Sequence, residues 1–424
     1  MNSHQDETFV IVGGGLAAAS AAGTLREEGF AGRLVLIGAE PHLPYERPPL
    51  SKGYLAGDST LADAFVHAAD FYETGGIDLR LGSPATALDV EAHTVLADAR
   101  SFSYDRLLLA TGSTARRLPA ADRSGAPVTY LRTIDDAQRI KLALAGGLRI
   151  LIVGGGWIGL EVAAAARTAG CDVMVVEPLE EPLLRVLGPS IGHAFATVHR
   201  LHGVDLRTST SIATFSSRPG AVGRGPVGVV ELDDGTATEA DLIVVGIGAV
   251  PNVALAEAAG LKVEDGLLAD EYLTTSHPDV FVAGDIANAF HPGFHRNLRV
   301  EHWDNAKAQG VTAARNLLGA EEVFERTPYF FTDQYDLGME YVGHVGAGGY
   351  DELVLRGDPG GGVFTAFWVS DGRVVAAMHA NDWDAGAPMR ALVEAGPSHA
   401  GPHCGRVNLV ALRDPRVPLE QLVP

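Results

Sequence analysis

Cysteine is nearly absent from this chain of 424 residues: Cys171 and Cys404 are its only two. They stand far apart and no Cys-x-x-Cys occurs, so neither an iron–sulfur cluster nor a redox-active dithiol loop has its ligands here. Cys171, just before an apolar run, reads as a packing residue, and Cys404 as a free surface thiol. Positive charge is also short. Against 53 Asp and Glu stand 32 Lys and Arg, a formal charge of −21, which argues against nucleic acid as a partner. No uninterrupted apolar run approaches the ~20 residues that span a bilayer. The polar, acidic start Asn2-Ser3-His4-Gln5-Asp6-Glu7 does not read as a secretory signal, and the cytoplasm is the expected compartment. The histidines, His291, His295 and His302 among them, form no metal-ligand spacing, so no metal is expected.

Glycine, in contrast, is abundant at 51 residues, and two clusters of it carry most of the information. The first is Val12-Gly13-Gly14-Gly15-Leu16-Ala17-Ala18, the second Val153-Gly154-Gly155-Gly156-Trp157-Ile158-Gly159. Each follows an apolar run and fits G-x-G-x-x-G/A. The first glycine (Gly13, Gly154) permits a tight turn, and the second (Gly15, Gly156) lets a pyrophosphate approach the backbone. A small residue later (Ala17 and Ala18, Gly159) lets helix pack on strand. Roughly twenty residues further on each copy has its acidic partner, Glu40 after Leu34–Ile37 and Glu177 after Val173–Val176, where a carboxylate accepts from ribose hydroxyls. Two complete units predict two bound dinucleotides, one held as prosthetic group and one used as hydride donor. Pro178, Leu179, Glu180 and Glu181 follow Glu177 without an arginine, and a carboxylate there repels a 2′-phosphate, so NADH is favoured over NADPH.

The order of elements fits an α/β protein with two Rossmann-like domains and an α+β addition. Apolar runs at Val10–Val12, Leu34–Ile37, Leu107–Ala110, Ile150–Val153, Val173–Val176 and Leu242–Val245 predict buried parallel strands. Ser216–Gly220 reads as a surface turn and the stretch on to Gly228 as a loop or hairpin. Gly246–Asn252 reads as a turn after a strand, Val280–Asp285 as a strand ending in Gly-Asp, and Glu301–Leu318 as a helix. Alternating, aromatic-bearing segments at Phe324–Val345 and Gly362–Ala377 predict an antiparallel sheet, with a short helix near Pro388–Glu394. The resulting division is 1–114 with 244–320, 115–243, and 321–424.

Further segments narrow the reading: Pro44-Tyr45-Glu46-Arg47-Pro48-Pro49-Leu50-Ser51-Lys52, Ala110-Thr111-Gly112-Ser113, Tyr130-Leu131-Arg132-Thr133, Gly284-Asp285, and Tyr329-Phe330-Phe331-Thr332-Asp333-Gln334-Tyr335. With both fingerprints they resemble the FAD-dependent, NADH-using ferredoxin reductases of oxygenase electron-transfer chains, over nearly the whole chain. The resemblance implies a glutathione-reductase-like fold and FAD and NADH as cofactors. It implies an acidic 2Fe–2S ferredoxin as partner, serving a cytochrome P450 or other oxygenase. Gly13, Gly15, Ala17 and Ala18 would hold the FAD pyrophosphate, Glu40 the adenosine ribose, and Ala85 the adenine through its backbone. Arg47, Lys52, Thr111, Gly112, Arg132, Gly284 and Asp285 would line the flavin site, and Trp303 would start a helix aimed at its pyrimidine edge. Gly154, Gly156, Ile158, Gly159, Glu177 and Gly248 would hold NADH. Lys52, Glu161 and Trp303 are the implied catalytic set, with Glu161 as counter-charge to the lysine.

Taken singly, Asp285 also suits a helix N-cap, Trp303 a core position, Lys52 a solvated lysine and Glu161 an exposed helix turn. Phe331 stands where many members of the resembled family carry tryptophan. An acidic ferredoxin would need a local basic cluster, for which Arg296, Arg299, Lys307 and Arg315 are the candidates. Competing readings of the same fold are an NADH oxidase, a disulfide reductase or a rubredoxin reductase. One of another class is a redox-sensing NADH-binding protein resembling apoptosis-inducing factor.

Overall fold

The computed structural model describes residues 4–221, 225–345, 349–395 and 405–423. The chain forms two compact units. One comprises Met1–Glu46, Leu61–Thr114 and Val250–Phe330, the other Arg47–Thr60, Ala115–Ala249 and Phe331–Pro424.

The first unit is built on a five-stranded parallel sheet. Its strand order is Val280–Val282, Arg106–Leu109, Thr8–Val12, Arg33–Ile37, Ile77–Arg80. Phe9–Val12, Leu34–Ile37 and Leu107–Leu109 are buried throughout. That is why these strands read as continuous apolar runs: a parallel sheet is covered on both faces. The helix Leu16–Glu27 returns from the central strand with alanine at 17, 18, 19, 21 and 22. Small side chains let it lie close against the helix Trp303–Leu317. A Cβ on Gly310 would stand 2.4 Å from the Ala17 carbonyl oxygen, so the crossing requires glycine at that point.

The second unit repeats the plan. Its parallel sheet runs Asp205–Arg207, Asp172–Val176, Arg149–Val153, Leu242–Val245, Val128–Tyr130. It also contains a five-stranded sheet ordered Tyr329–Gln334, Leu337–Gly343, Arg373–Ala380, Val363–Ser370, Glu352–Asp358, whose last three pairings are antiparallel. The helix Gly386–Ala395 covers one face of it, burying Met389, Leu392 and Val393 against Val342, Val354, Phe367 and Val369.

The structure differs from the sequence expectations in three places. Ser216–Arg218 is not a turn. It ends the strand Ile212–Arg218, paired antiparallel with Val227–Leu232 through Ser217↔Gly228. Cross-strand bonding and the Arg218–Glu239 ion pair on the hairpin surface override the turn preference of serine. Residues 85–103 form an antiparallel meander of Ala85–Asp89, Thr94–Ala97 and Arg100–Ser103 that the alternating strand–helix reading did not include. Its strands have four or five residues with one buried side each, too short to stand out by periodicity. Within Gly246–Asn252, Ala249–Pro251 is a short strand. Cys404 lies outside the described residues.

Candidate functional site

In the first unit the glycine turn sits at the carboxyl end of the central strand. Gly13 has φ +139°, and a Cβ there would stand 2.1 Å from the Ala110 carbonyl oxygen, so neither the conformation nor the space admits another residue. Around Gly15 the opposite holds: nothing lies within 4 Å of where a Cβ would be. The helix beginning at Leu16 has Gly15 as N-cap with no side-chain cap and no carboxylate in its first turn. Its leading N–H groups and dipole are therefore left for an anion. Ala18 is fully buried under the helix. Beside the turn, the Tyr45 hydroxyl donates to Glu40 Oε2 at 2.6 Å. The loop leading to Ala85 is stitched to the same region, with Gly82 N on the Glu40 carbonyl and Ser83 N on the Gly38 carbonyl.

Thr111, Gly112 and Asp285 are also held in this unit. Asn252, which the sequence reading did not single out as a site residue, donates from Nδ2 to the Thr111 carbonyl at 2.8 Å. Its own carbonyl accepts from Thr111 Oγ1 at 2.9 Å. The Ser113 hydroxyl donates to Asp285 Oδ2 at 2.9 Å. Gly284 has φ +82° and packs on Ala17, and its N–H donates to the buried Gln309 Oε1 at 2.8 Å. Trp303 is the first residue of its helix, where His302 Nδ1 accepts from Asp304 N as the cap. Lys307 Nζ lies 5.2 Å from the Trp303 ring centre.

The second glycine turn repeats the cradle. Gly154 has φ +105° and room for no Cβ beside the Gly246 carbonyl, while Gly156 meets only that oxygen, at 3.9 Å. A Cβ on Gly159 would fall 2.1 Å from the Gly154 carbonyl oxygen. The helix Trp157–Thr168 again lacks a side-chain cap and a first-turn carboxylate. Ile158, at its start, is 41% exposed, a large apolar side chain left open beside the turn. Glu177 is buried, and both its oxygens are engaged: Oε2 accepts from Gly155 N at 2.7 Å and Oε1 from Leu179 N at 2.9 Å. The carboxylate thus shapes the glycine turn. Gly248 has φ +103° and its carbonyl accepts from Arg116 N.

One helical turn beyond Gly156 lies Glu161, only 5% exposed. Lys52 Nζ donates to its Oε1, as does Thr332 Oγ1 at 2.6 Å, and Ser51 Oγ donates to its Oε2 at 2.5 Å. Ser51 and Thr332 are themselves buried. The expected Lys52–Glu161 pair is therefore present, together with the Ser51 and Thr332 hydroxyls, to which the sequence gives no role. Three donors converge on one buried carboxylate, and each of its oxygens is engaged. Lys52 Nζ lies 5.3 Å from the Phe331 ring centre. The Arg47 guanidinium donates to the Arg132 carbonyl.

Two features of the expected basic cluster fail. Arg299 is bound to Glu301 and Asp265, and Arg315 to Glu28 and Glu322. Their charges are neutralised locally, leaving Arg296 and Lys307 as its exposed members. Cys171 is fully buried, and burial pushes its thiol up, which suits packing rather than redox chemistry. Among the described residues, His93, His277 and Asp279 form one group whose ligand atoms lie within 4.8 Å of one another, a spacing the sequence did not reveal. No described helix is long and apolar enough to cross a membrane.

Comparison with known proteins agrees with this geometry. Residues 7–310 match the family described as pyridine nucleotide-disulphide oxidoreductase, and residues 329–423 the reductase C-terminal family. The chain is 42% identical to the ferredoxin–NAD(+) reductase component of an anthranilate 1,2-dioxygenase system of Burkholderia cepacia, covering 92% of this chain and 95% of that protein. It is 37% identical to rhodocoxin reductase of Rhodococcus erythropolis, covering 88% and 86%. Among solved structures, it superposes on the reductase in a covalent putidaredoxin reductase–putidaredoxin complex with a TM-score of 0.89 at 34% identity, covering 98% and 97%.

Proposed function

Because the chain belongs to the pyridine nucleotide-disulphide oxidoreductase family, and within it to the NADH-dependent ferredoxin reductases, we propose that it carries electrons from NADH through FAD to a 2Fe–2S ferredoxin serving a cytochrome P450 or another oxygenase. The observation that carries the reading is the pair of glycine turns, each open above its second glycine and each facing an uncapped helix start. Their donors and space fit two pyrophosphates.

FAD, when bound, accepts a hydride from NADH and passes the two electrons on singly. The chain's own residues hold and bias the site. Gly13, Gly15, Ala17 and Ala18 would cradle the FAD pyrophosphate, with Glu40 on the ribose, Ala85 on the adenine, and Thr111, Gly112, Gly284 and Asp285 on the ribityl side. Gly154, Gly156, Ile158, Gly159, Glu177 and Gly248 would hold NADH. Arg47 and Arg132 would add positive charge along the flavin. The helix beginning at Trp303 would present its positive dipole end, and Lys52 its ammonium, to the negative charge that reduction adds. Glu161 keeps that ammonium oriented. Residues 1–114 with 244–320 would bind FAD, 115–243 NADH, and 321–424 would form an interface region, in a protein of the cytoplasm.

Three measurements test it. Acid release and chromatography should yield about one FAD per chain, and FMN or no flavin would overturn the assignment. NADH-driven reduction of a panel of purified 2Fe–2S ferredoxins and rubredoxins should reveal a productive ferredoxin. If every carrier stays oxidised while ferricyanide is reduced, the electron-transfer reading fails. Reversing the charge of Arg296 and Lys307 should weaken ferredoxin reduction and its salt dependence, with ferricyanide reduction little changed.

A further inference from the structure

The Lys52–Glu161 pair is one end of a longer buried chain. Thr332 Oγ1, which donates to Glu161, also receives Gln334 Nε2 at 3.2 Å. Gln334 Oε1 lies 2.8 Å from His199 Nε2, and His199 Nδ1 lies 3.3 Å from the Tyr335 hydroxyl. An amide oxygen only accepts, so the His199 proton is on Nε2 and its Nδ1 accepts from tyrosine. The hydrogen bonds then run in one direction: Tyr335 to His199, His199 to Gln334, Gln334 to Thr332, Thr332 to Glu161. His199 is 0% exposed and Gln334 and Thr332 1% each.

Burying three polar side chains in a row costs stability unless all are satisfied, and here each one is. The outer end is also built at a cost. Tyr335 has φ +56° in the turn between Gln334 and Leu337, a conformation that Gly or Asn adopts more easily. Its ring is held there by stacking on His202, with centroids 3.7 Å apart and 7° between planes. Burial pushes His199 down to about 4, so the ring is neutral, and the direction of the chain fixed, across the neutral range.

We propose that Thr332, Gln334, His199 and Tyr335 are positioning residues for the reductase reaction. Their one-way chain anchors the Glu161 carboxylate, and through it the Lys52 ammonium, to the helix Pro189–Leu201. This rests on the reading above that Lys52 acts in hydride transfer to FAD.

The experiment uses the FAD-loaded protein and two readouts. Stopped flow gives the rate of flavin reduction by NADH. Competitive acetylation followed by mass spectrometry gives the reactivity of the Lys52 amine without turnover. His199→Phe should slow reduction about tenfold at unchanged NADH affinity and raise Lys52 acetylation several-fold. His199→Gln, whose amide can still donate to Gln334, should recover to within about twofold of the unmodified protein. Unchanged rate and labelling in His199→Phe overturn the proposal. So does a His199→Gln protein as impaired as His199→Phe, since loss of packing then explains both. If His199→Phe does not fold, Tyr335→Phe decides, because it keeps the stacked ring and removes only the hydroxyl. About a twofold rise in Lys52 labelling is expected, and none overturns the chain. Lys52→Met separates the two readings. If it slows reduction and His199→Phe does not, the chain fails alone. If it leaves reduction unchanged, the role of Lys52 fails, and labelling still decides the chain.

Discussion

Ser51 and Glu161 stand 110 positions apart in sequence and share a buried hydrogen bond of 2.5 Å. With Lys52 and Thr332 it makes Glu161 the meeting point of three chain segments. Glu161→Gln keeps an acceptor oxygen for only one of the Ser51 and Thr332 hydroxyls, which donate to different carboxylate oxygens, and leaves the Lys52 ammonium without its counter-charge. Stability should fall by about 3 kcal/mol, read by urea unfolding. Flavin reduction by NADH should slow by about one to two orders of magnitude in stopped flow, with FAD retained. A wild-type reduction rate would remove Glu161 from the machinery.

Under the proposed function Glu177 would carry two duties, accepting from the NADH ribose while its oxygens receive Gly155 N and Leu179 N. Glu177→Ala should raise the KM for NADH more than it lowers kcat, because it both removes a ribose acceptor and loosens the glycine turn. Adding Pro178→Arg to it should shift preference toward NADPH. Steady-state kinetics with both donors checks this. An unmodified protein that uses NADH and NADPH equally contradicts the argument.

Gly310→Ala should separate the helices Leu16–Glu27 and Trp303–Leu317, because its methyl group would meet the Ala17 carbonyl at 2.4 Å. A cost of about 1–3 kcal/mol is expected, with weakened FAD retention because Ala17 is the second residue of the helix that the first glycine turn opens. Thermal melting with flavin fluorescence reads both. Full retention of FAD and stability would show that the helices adjust.

His199 gives a pH signature. Its folded value of about 4 lies below the ordinary histidine value of 6.5. Between these values the unfolded chain binds the extra proton and the folded one does not, so stability rises with pH. The contribution is complete above about pH 6.5 and is lost as the pH falls toward 4. Its full size is about 3 kcal/mol. Urea unfolding between pH 4 and 7 should show this slope, and His199→Gln should flatten it. Parallel curves for the two proteins would assign the slope to other groups.

The sequence alone determined the two glycine turns and the helix starts they face, because everything they need is local. Gly13 and Gly154 take backbone angles that the chain itself must permit, and the apolar runs beside them are buried whatever the rest does. Glu40 and Glu177 follow at a distance set by one strand–helix–strand unit. The hairpin at Ile212–Leu232 and the meander at Ala85–Ser103 were less legible, since short strands with one wet face depend on pairing rather than pattern. The candidate site divides the same way. Lys52 and Glu161 stood in recognisable motifs, but Ser51, Thr332, Gln334 and His199 acquired their roles only when distant segments packed together. The loss of Arg299 and Arg315 from the basic cluster has the same origin, because their acidic partners were chosen in three dimensions. Periodicity and spacing report the covalent neighbourhood of a residue. Which donor reaches which acceptor across 110 positions is decided by the tertiary fold, because burial removes water and leaves only the groups that packing brings within reach.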